Sequence, residues 1–289
     1  MNPNKKHKDS VFSILFNNPD VLRELYSAIE GIPIPPEMPI DINTLSDVLI
    51  KGKINDVSFT IDNRLVILVE HQSTFSENLP LRLLEYRGRI YEKIIDYERR
   101  FQRKLEKIPR PEFIVLYNGN DPIPDHIELR LSDAFMDVQG LKQSESDKFP
   151  LELIVQVYNI NQGYNPEILK KSITLDSYSI LISKIWEYRN KKLTLEESIK
   201  LAIKYCIDNN VLKDFLKKHS SEVYGMLYGE YRLEDEIAVV KREAWEDGHF
   251  EGRSEEKIEI ARNLLSKGST LDFVQEITGL DPVTIQGLS

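Results

Sequence analysis

Five consecutive apolar residues, Leu65-Val66-Ile67-Leu68-Val69, run without a break into Glu70-His71-Gln72. A strand that is apolar at every position is buried on both faces, so it belongs inside a sheet covered on either side. The stretch before it, Ile54 to Ile61, alternates polar and apolar residues and ends at Asp62-Asn63, a turn signal between two strands. Side chains on a strand repeat with period two, which puts Glu70 and Gln72 on one side and His71 on the other. A carboxylate and an amide delivered at the end of a central strand, with Asp56 on the neighbouring strand, suggest a divalent-metal site. Oxygen ligands of this kind suit Mg²⁺, which keeps several waters and needs only one or two carboxylates. The competing reading is that Asp56 and Glu70 are solvated strand ends.

Register decides whether the two carboxylates can meet, because directly paired residues on antiparallel strands share a face. A two-residue turn at Asp62-Asn63 pairs Ile61 with Arg64 and sets Asp56 against Val69. Asp56 and Glu70 then lie on opposite sides of the sheet and cannot share an ion. A three-residue loop, Asp62-Asn63-Arg64, or a bulge, sets Asp56 opposite Glu70. The second arrangement is the one expected, with Asp56 and Glu70 on one face beside Gln72.

The segments NDVSF, LVILVEHQS, IVLYNG and VYNIN, in that order, resemble the recombination-promoting nuclease (transposase-like) family of the PD-(D/E)XK nuclease superfamily. The resemblance covers about residues 9 to 180, with a weaker echo at the C-terminus. It implies an α/β/α sandwich around a mixed central sheet, with a helical C-terminal region behind it. It also implies that Asp56 and Glu70 are the acidic metal ligands and that the His71 backbone carbonyl completes the protein's share. Gln72 stands where the wider superfamily usually has Lys. A neutral amide cannot stabilise charge at the scissile phosphate as Lys does, although Gln here is usual for this family.

Composition fits a folded protein of 289 residues, with one large core and a smaller appended unit. The single cysteine, Cys206, rules out an internal disulfide and agrees with a reducing cytoplasm. No run is long and apolar enough for a membrane span, and MNPNKKHKDS has no apolar core of a secretory signal. Five scattered histidines and one cysteine make no zinc-type ligand set. A net charge of −9 argues against a protein that coats nucleic acid nonspecifically. Yet residues 82 to 110 hold ten basic and five acidic residues, +5 locally. That run is either a salt-bridged solvent face or a phosphate-binding surface; Arg82 and Arg89 are the candidates for holding a DNA strand.

Along the chain, Asp9 or Ser10 can cap a short helix with Val11, Phe12, Leu15 and Phe16 on its apolar side. Asn18 and Pro19 start a second helix that ends at Gly31. Glu24 and Glu30 on it are expected to be exposed helix residues rather than metal ligands. An extended lead is expected around Leu45 to Ile50. Asn78 and Pro80 start a helix packing Leu83, Tyr86 or Arg87, Ile90, Tyr91 and Ile94 on the sheet. Further strands are expected at Phe113–Tyr117, near Glu128–Leu131, and at Leu151–Asn159. Asn159, Asn161 and Asn165 are expected to form turns. Three regions result: a nuclease core over 1–165, a helical extension over 166–228, and a long acidic helix with a small helical tail over 229–289. From Glu222 to Glu259 there are twelve acidic residues against five basic ones, a solvated helix rather than a coiled coil.

The function expected is a Mg²⁺-dependent DNA endonuclease linked to recombination, mobile elements, or a toxin or defence role. Metal-bound water would attack the phosphodiester, with Gln72 orienting the water or the phosphate. The alternative is a catalytically inactive DNA-binding or adaptor protein on the same fold. The C-terminal helices are the surface for a homodimer or another protein contact.

Overall fold

The computed structural model describes residues 10–43, 55–71, 75–136 and 151–288. For residues 55, 56, 70, 71 and 233–255 the description is of the backbone. Gln72, the lead around 45–50 and the capping choice of Asp9 lie outside the described residues.

A six-stranded mixed sheet is the frame of the N-terminal unit. Its strands are β1 (Asp41–Ile42), β2 (Asn55–Ile61), β3 (Arg64–His71), β4 (Arg110–Tyr117), β5 (His126–Arg130) and β6 (Ile154–Asn159), in the spatial order β1-β2-β3-β4-β6-β5. β1, β2 and β3 form an antiparallel meander, β3, β4 and β6 are parallel, and β5 closes the edge antiparallel to β6. Parallel neighbours need a crossover, and α3 (Leu79–Ile94) supplies the one between β3 and β4. Leu65–Val69 and Val115–Tyr117 are at most 1% exposed, as continuous apolar runs in the centre of a covered sheet require.

The hairpin departs from expectation. Asp62 and Asn63 both have positive φ, 44° and 58°, and Ile61 pairs directly with Arg64. This two-residue turn has the positive-φ residues of type I′, whose backbone twist matches the right-handed twist of the strands. Asp and Asn are among the few residues that accept that conformation, so a third loop residue is not needed. Pairing then runs one for one, without a bulge, through Ser58–Ile67 and Asp56–Val69 to Asn55–Glu70. The three-residue register expected above is therefore corrected: Asn55, not Asp56, is opposite Glu70.

Each face of the sheet is covered. On one side Leu79, Leu83, Tyr86 and Ile90 of α3 pack on Leu65, Ile67, Val69, Val115, Tyr117 and Val157. Tyr86 rather than Arg87 fills the stripe. On the other side lie α1 (Val11–Phe16) and α2 (Pro19–Glu30). Ser10 caps α1 through a reciprocal pair of bonds with Ser13, and Asn18 caps α2 with Pro19 at its first position. Tyr26 of α2 meets Phe59 of β2 edge-on at 5.9 Å. Its hydroxyl donates to Glu112 of β4 and accepts from Arg64, which also pairs with Glu30 at 3.2 Å.

Beyond the sheet, α4 (Pro166–Lys171) and α5 (Ile173–Asn190) are two helices, with Ser172 capping the second. α5 packs against α6 (Leu195–Asp208) and buries Cys206. α7 (Lys213–Ser266) comprises two helical stretches joined across a kink at His219, whose angles are non-helical. The chain divides into compact units Met1–Gly229 and Glu230–Ser289. In the second, Ala261, Val274 and Ile285 make a small core between α7, α8 (Leu271–Thr278) and α9 (Pro282–Gln286). Thr270 caps α8, Gly279 ends it with φ 64°, and Asp281 caps α9. No helix among the described residues is long and apolar enough to cross a membrane.

Candidate functional site

The carboxyl ends of parallel strands are where open α/β sheets place ligands. Here that edge is made by the ends of β3, β4 and β6, with His71 beside Tyr117 and Tyr117 beside Asn159. Asp56, second residue of β2, and Glu70, next to last in β3, reach the same edge. They are not a cross-strand pair. Asp56 is matched to Val69, whose side chain belongs to the core under α3, and Glu70 is matched to Asn55. A cation gripped by both carboxylates from one side of the sheet has no support in this register. Among the described residues there is also no group of three His, Cys, Asp or Glu suited to a metal.

Asparagines shape the rest of this edge. Asn159 donates to the Ile123 carbonyl (3.0 Å) and accepts from the Asn161 backbone N–H (3.1 Å). Asn161 donates to the Gly119 carbonyl at 2.9 Å, and Asn165 to the carbonyls of Asp125 and Asn159. All three serve loop geometry, as expected. The Asp121 carboxylate accepts from the Phe75 backbone at 2.6 Å, and the Tyr117 hydroxyl accepts from the Asp121 N–H at 2.7 Å. These bonds tie the loop after β4 to the segment leading into α3. Burial pushes the Tyr117 phenol up to about 12.

Asn118 is different. It is fully buried just past the end of β4, and neither its amide oxygen nor its amide nitrogen has a partner among the described residues. An unpaired buried polar group costs about 1–3 kcal/mol, and native structures rarely keep one without a use. In the sequence alone, Asn118-Gly119 after the strand has the form of an ordinary turn signal. The available signal was polarity directly after five apolar residues of β4, the same signature that singled out Glu70.

No family model matches this chain, and no curated protein or solved structure does either.

The basic run is not one surface. α3 carries the chain back along the sheet for roughly 24 Å at 1.5 Å per residue. Arg82, in its first turns, is near the carboxyl ends of the strands. Arg89 lies about 10 Å further along at the same rise, and residues 95–109 reach the far end, where the Arg110 N–H donates to the Asn63 carbonyl of the hairpin turn. Arg82 is half-buried, and burial lowers its pKa from the usual arginine value. Arg89 is exposed. Glu30 is held by Arg64, and Glu24 accepts from the Thr174 backbone N–H at 3.3 Å. Both glutamates are thus engaged away from a metal role.

Proposed function

We propose that this protein is a DNA endonuclease of the PD-(D/E)XK type, hydrolysing phosphodiester bonds at the carboxyl edge of β3 and β4. The observation that carries the reading is topological. A meander of β1, β2 and β3, a crossover helix and a parallel β4 bring Glu70, His71 and Asn118 to one edge. Arg82 at the start of α3 is the cation beside it for a phosphate. The resemblance in NDVSF, LVILVEHQS and IVLYNG supports the reading for Asp56, Glu70 and the His71 carbonyl. A divalent cation, Mg²⁺ above all, belongs to this proposal, with Asp56, Glu70 and the His71 carbonyl as its ligands and Gln72 beside them. For Asp56 and Glu70 to share it, the first residues of β2 would have to slip by one position against β3. Recombination, mobile-element or defence roles in a cytoplasmic setting are proposed on the resemblance alone.

The register favours a second reading, a DNA-binding or adaptor protein that does not cleave. Supercoiled plasmid incubated with Mg²⁺ or with EDTA separates the two. Nicking that needs the cation and disappears in Glu70→Ala supports the endonuclease. Plasmid binding without nicking supports the adaptor.

A further inference from the structure

The segment between α3 and β4 carries too much exposed apolar surface for a simple connection. Tyr97 is 70% exposed, Phe101 72% and Leu105 82%. Loops are ordinarily polar, and exposed apolar side chains gathered in one place mark a binding surface. Tyr97 and Phe101 touch, with ring centroids 5.0 Å apart. In the same segment Arg99, Arg100, Arg103, Lys104 and the exposed Leu105 line a shallow cavity of about 460 Å³ with one carboxylate, Glu106.

The cations here are of two kinds. Arg99 pairs with Glu106 at 3.0 Å, and Arg100 donates to the carbonyls of Glu92 (3.0 Å) and Ile95 (3.2 Å). Those two hold the segment in shape. Arg103 and Lys104 have no partner among the described residues. Free cations beside exposed rings are the equipment for a strand whose phosphates and bases are both accessible. A duplex hides its base faces, so rings would gain nothing from it.

We propose that Tyr97, Phe101, Arg103 and Lys104 form a docking platform for single-stranded DNA. Bases stack on the two rings, and Arg103 and Lys104 hold the backbone phosphates. The platform stands at the hairpin-turn end of the sheet, about 25 Å from the carboxyl edge across the eight residues of β4. It therefore holds a strand that extends from the edge rather than the bond being cut. The choice of DNA rests on the endonuclease reading.

Fluorescence anisotropy of a labelled oligo-dT in EDTA tests binding with cleavage switched off. Stacking of one base is worth roughly 5- to 150-fold in affinity. Tyr97→Ala with Phe101→Ala should weaken binding by tenfold or more at unchanged salt dependence. Arg103→Ala with Lys104→Ala should flatten the log–log salt slope by about 0.7 per lost contact. All four side chains are outside the core, and unchanged circular dichroism checks that the variants fold. No oligo-dT binding by the wild type, or equal binding by the ring variant, overturns the proposal. So does self-association that the ring variant abolishes without any oligo-dT binding. Binding that persists when no plasmid is nicked upholds the platform and removes only the endonuclease; nicking without oligo-dT binding does the reverse.

Discussion

Asn118 concentrates the tension between stability and use at the scale of one residue. Its amide is buried with no partner among the described residues; such a group costs folding energy, and replacing it by an apolar one of similar shape is neutral or stabilising. Asn118→Leu should therefore raise the urea midpoint, by about 1 kcal/mol of stability, while lowering nicking activity. Loss of stability with activity intact would make Asn118 a packing residue. Tyr117, next to it, makes a pH prediction. Its phenol titrates near 12 when folded against 10.0 for a free tyrosine. The folded state thus holds the proton more tightly. The stability this gives is complete below pH 10 and falls as pH rises toward 12, by up to about 1.4 kcal/mol per unit. Urea titrations at pH 9 and 11 should show this slope and its reduction in Tyr117→Phe. The hidden role of Asn118 was not legible in sequence, because a buried amide without a partner looks the same on paper as a turn asparagine.

At the scale of elements, the strands and caps were legible because their signals are local. Leu65–Val69 is buried on both sides, Ser10, Asn18 and Thr270 cap as their neighbours require, and the apolar stripe of α3 faces the sheet. The hairpin register was misread because it depends on whether one residue or two turn left-handed, a difference of a few tenths to one kcal/mol. That geometry can be tested directly. Asn63→Val should cost about 1–2 kcal/mol because a β-branched side chain resists positive φ, whereas Asn63→Gly should be neutral or stabilising in the same denaturant titration. Asp62→Val separates the two geometries: it should cost a similar amount in this turn, where Asp62 also has positive φ, and almost nothing in a three-residue loop whose one left-handed residue is Asn63. α3 yields a second expectation. Charge reversal at Arg82 or Arg89 removes a phosphate contact and flattens the salt dependence of duplex binding by about 0.9 per contact. Arg82→Glu should also depress cleavage more than Arg89→Glu does, because only Arg82 stands beside the carboxyl edge. Equal effects on cleavage would place the phosphate elsewhere.

For the molecule as a whole, the α/β frame with a helical C-terminal part followed from the order of apolar runs and helical periods. The compact units divide between Gly229 and Glu230, inside α7 and one residue past the 228/229 division read from the sequence. The charge balance also resolves only at this scale: an overall −9 coexists with cations distributed to both ends of one sheet. The carboxyl edge of that sheet is proposed to cut DNA, with Glu70 its acidic residue and Asp56 joining it only where β2 slips by one position. This proposal is tested most directly by supercoiled-plasmid nicking in Mg²⁺, comparing the wild type with Asp56→Ala plus Glu70→Ala at matched folding. The account predicts nicking by the wild type that EDTA and the double variant both abolish. Equal nicking by the two proteins, or none by the wild type while DNA is bound, would contradict it.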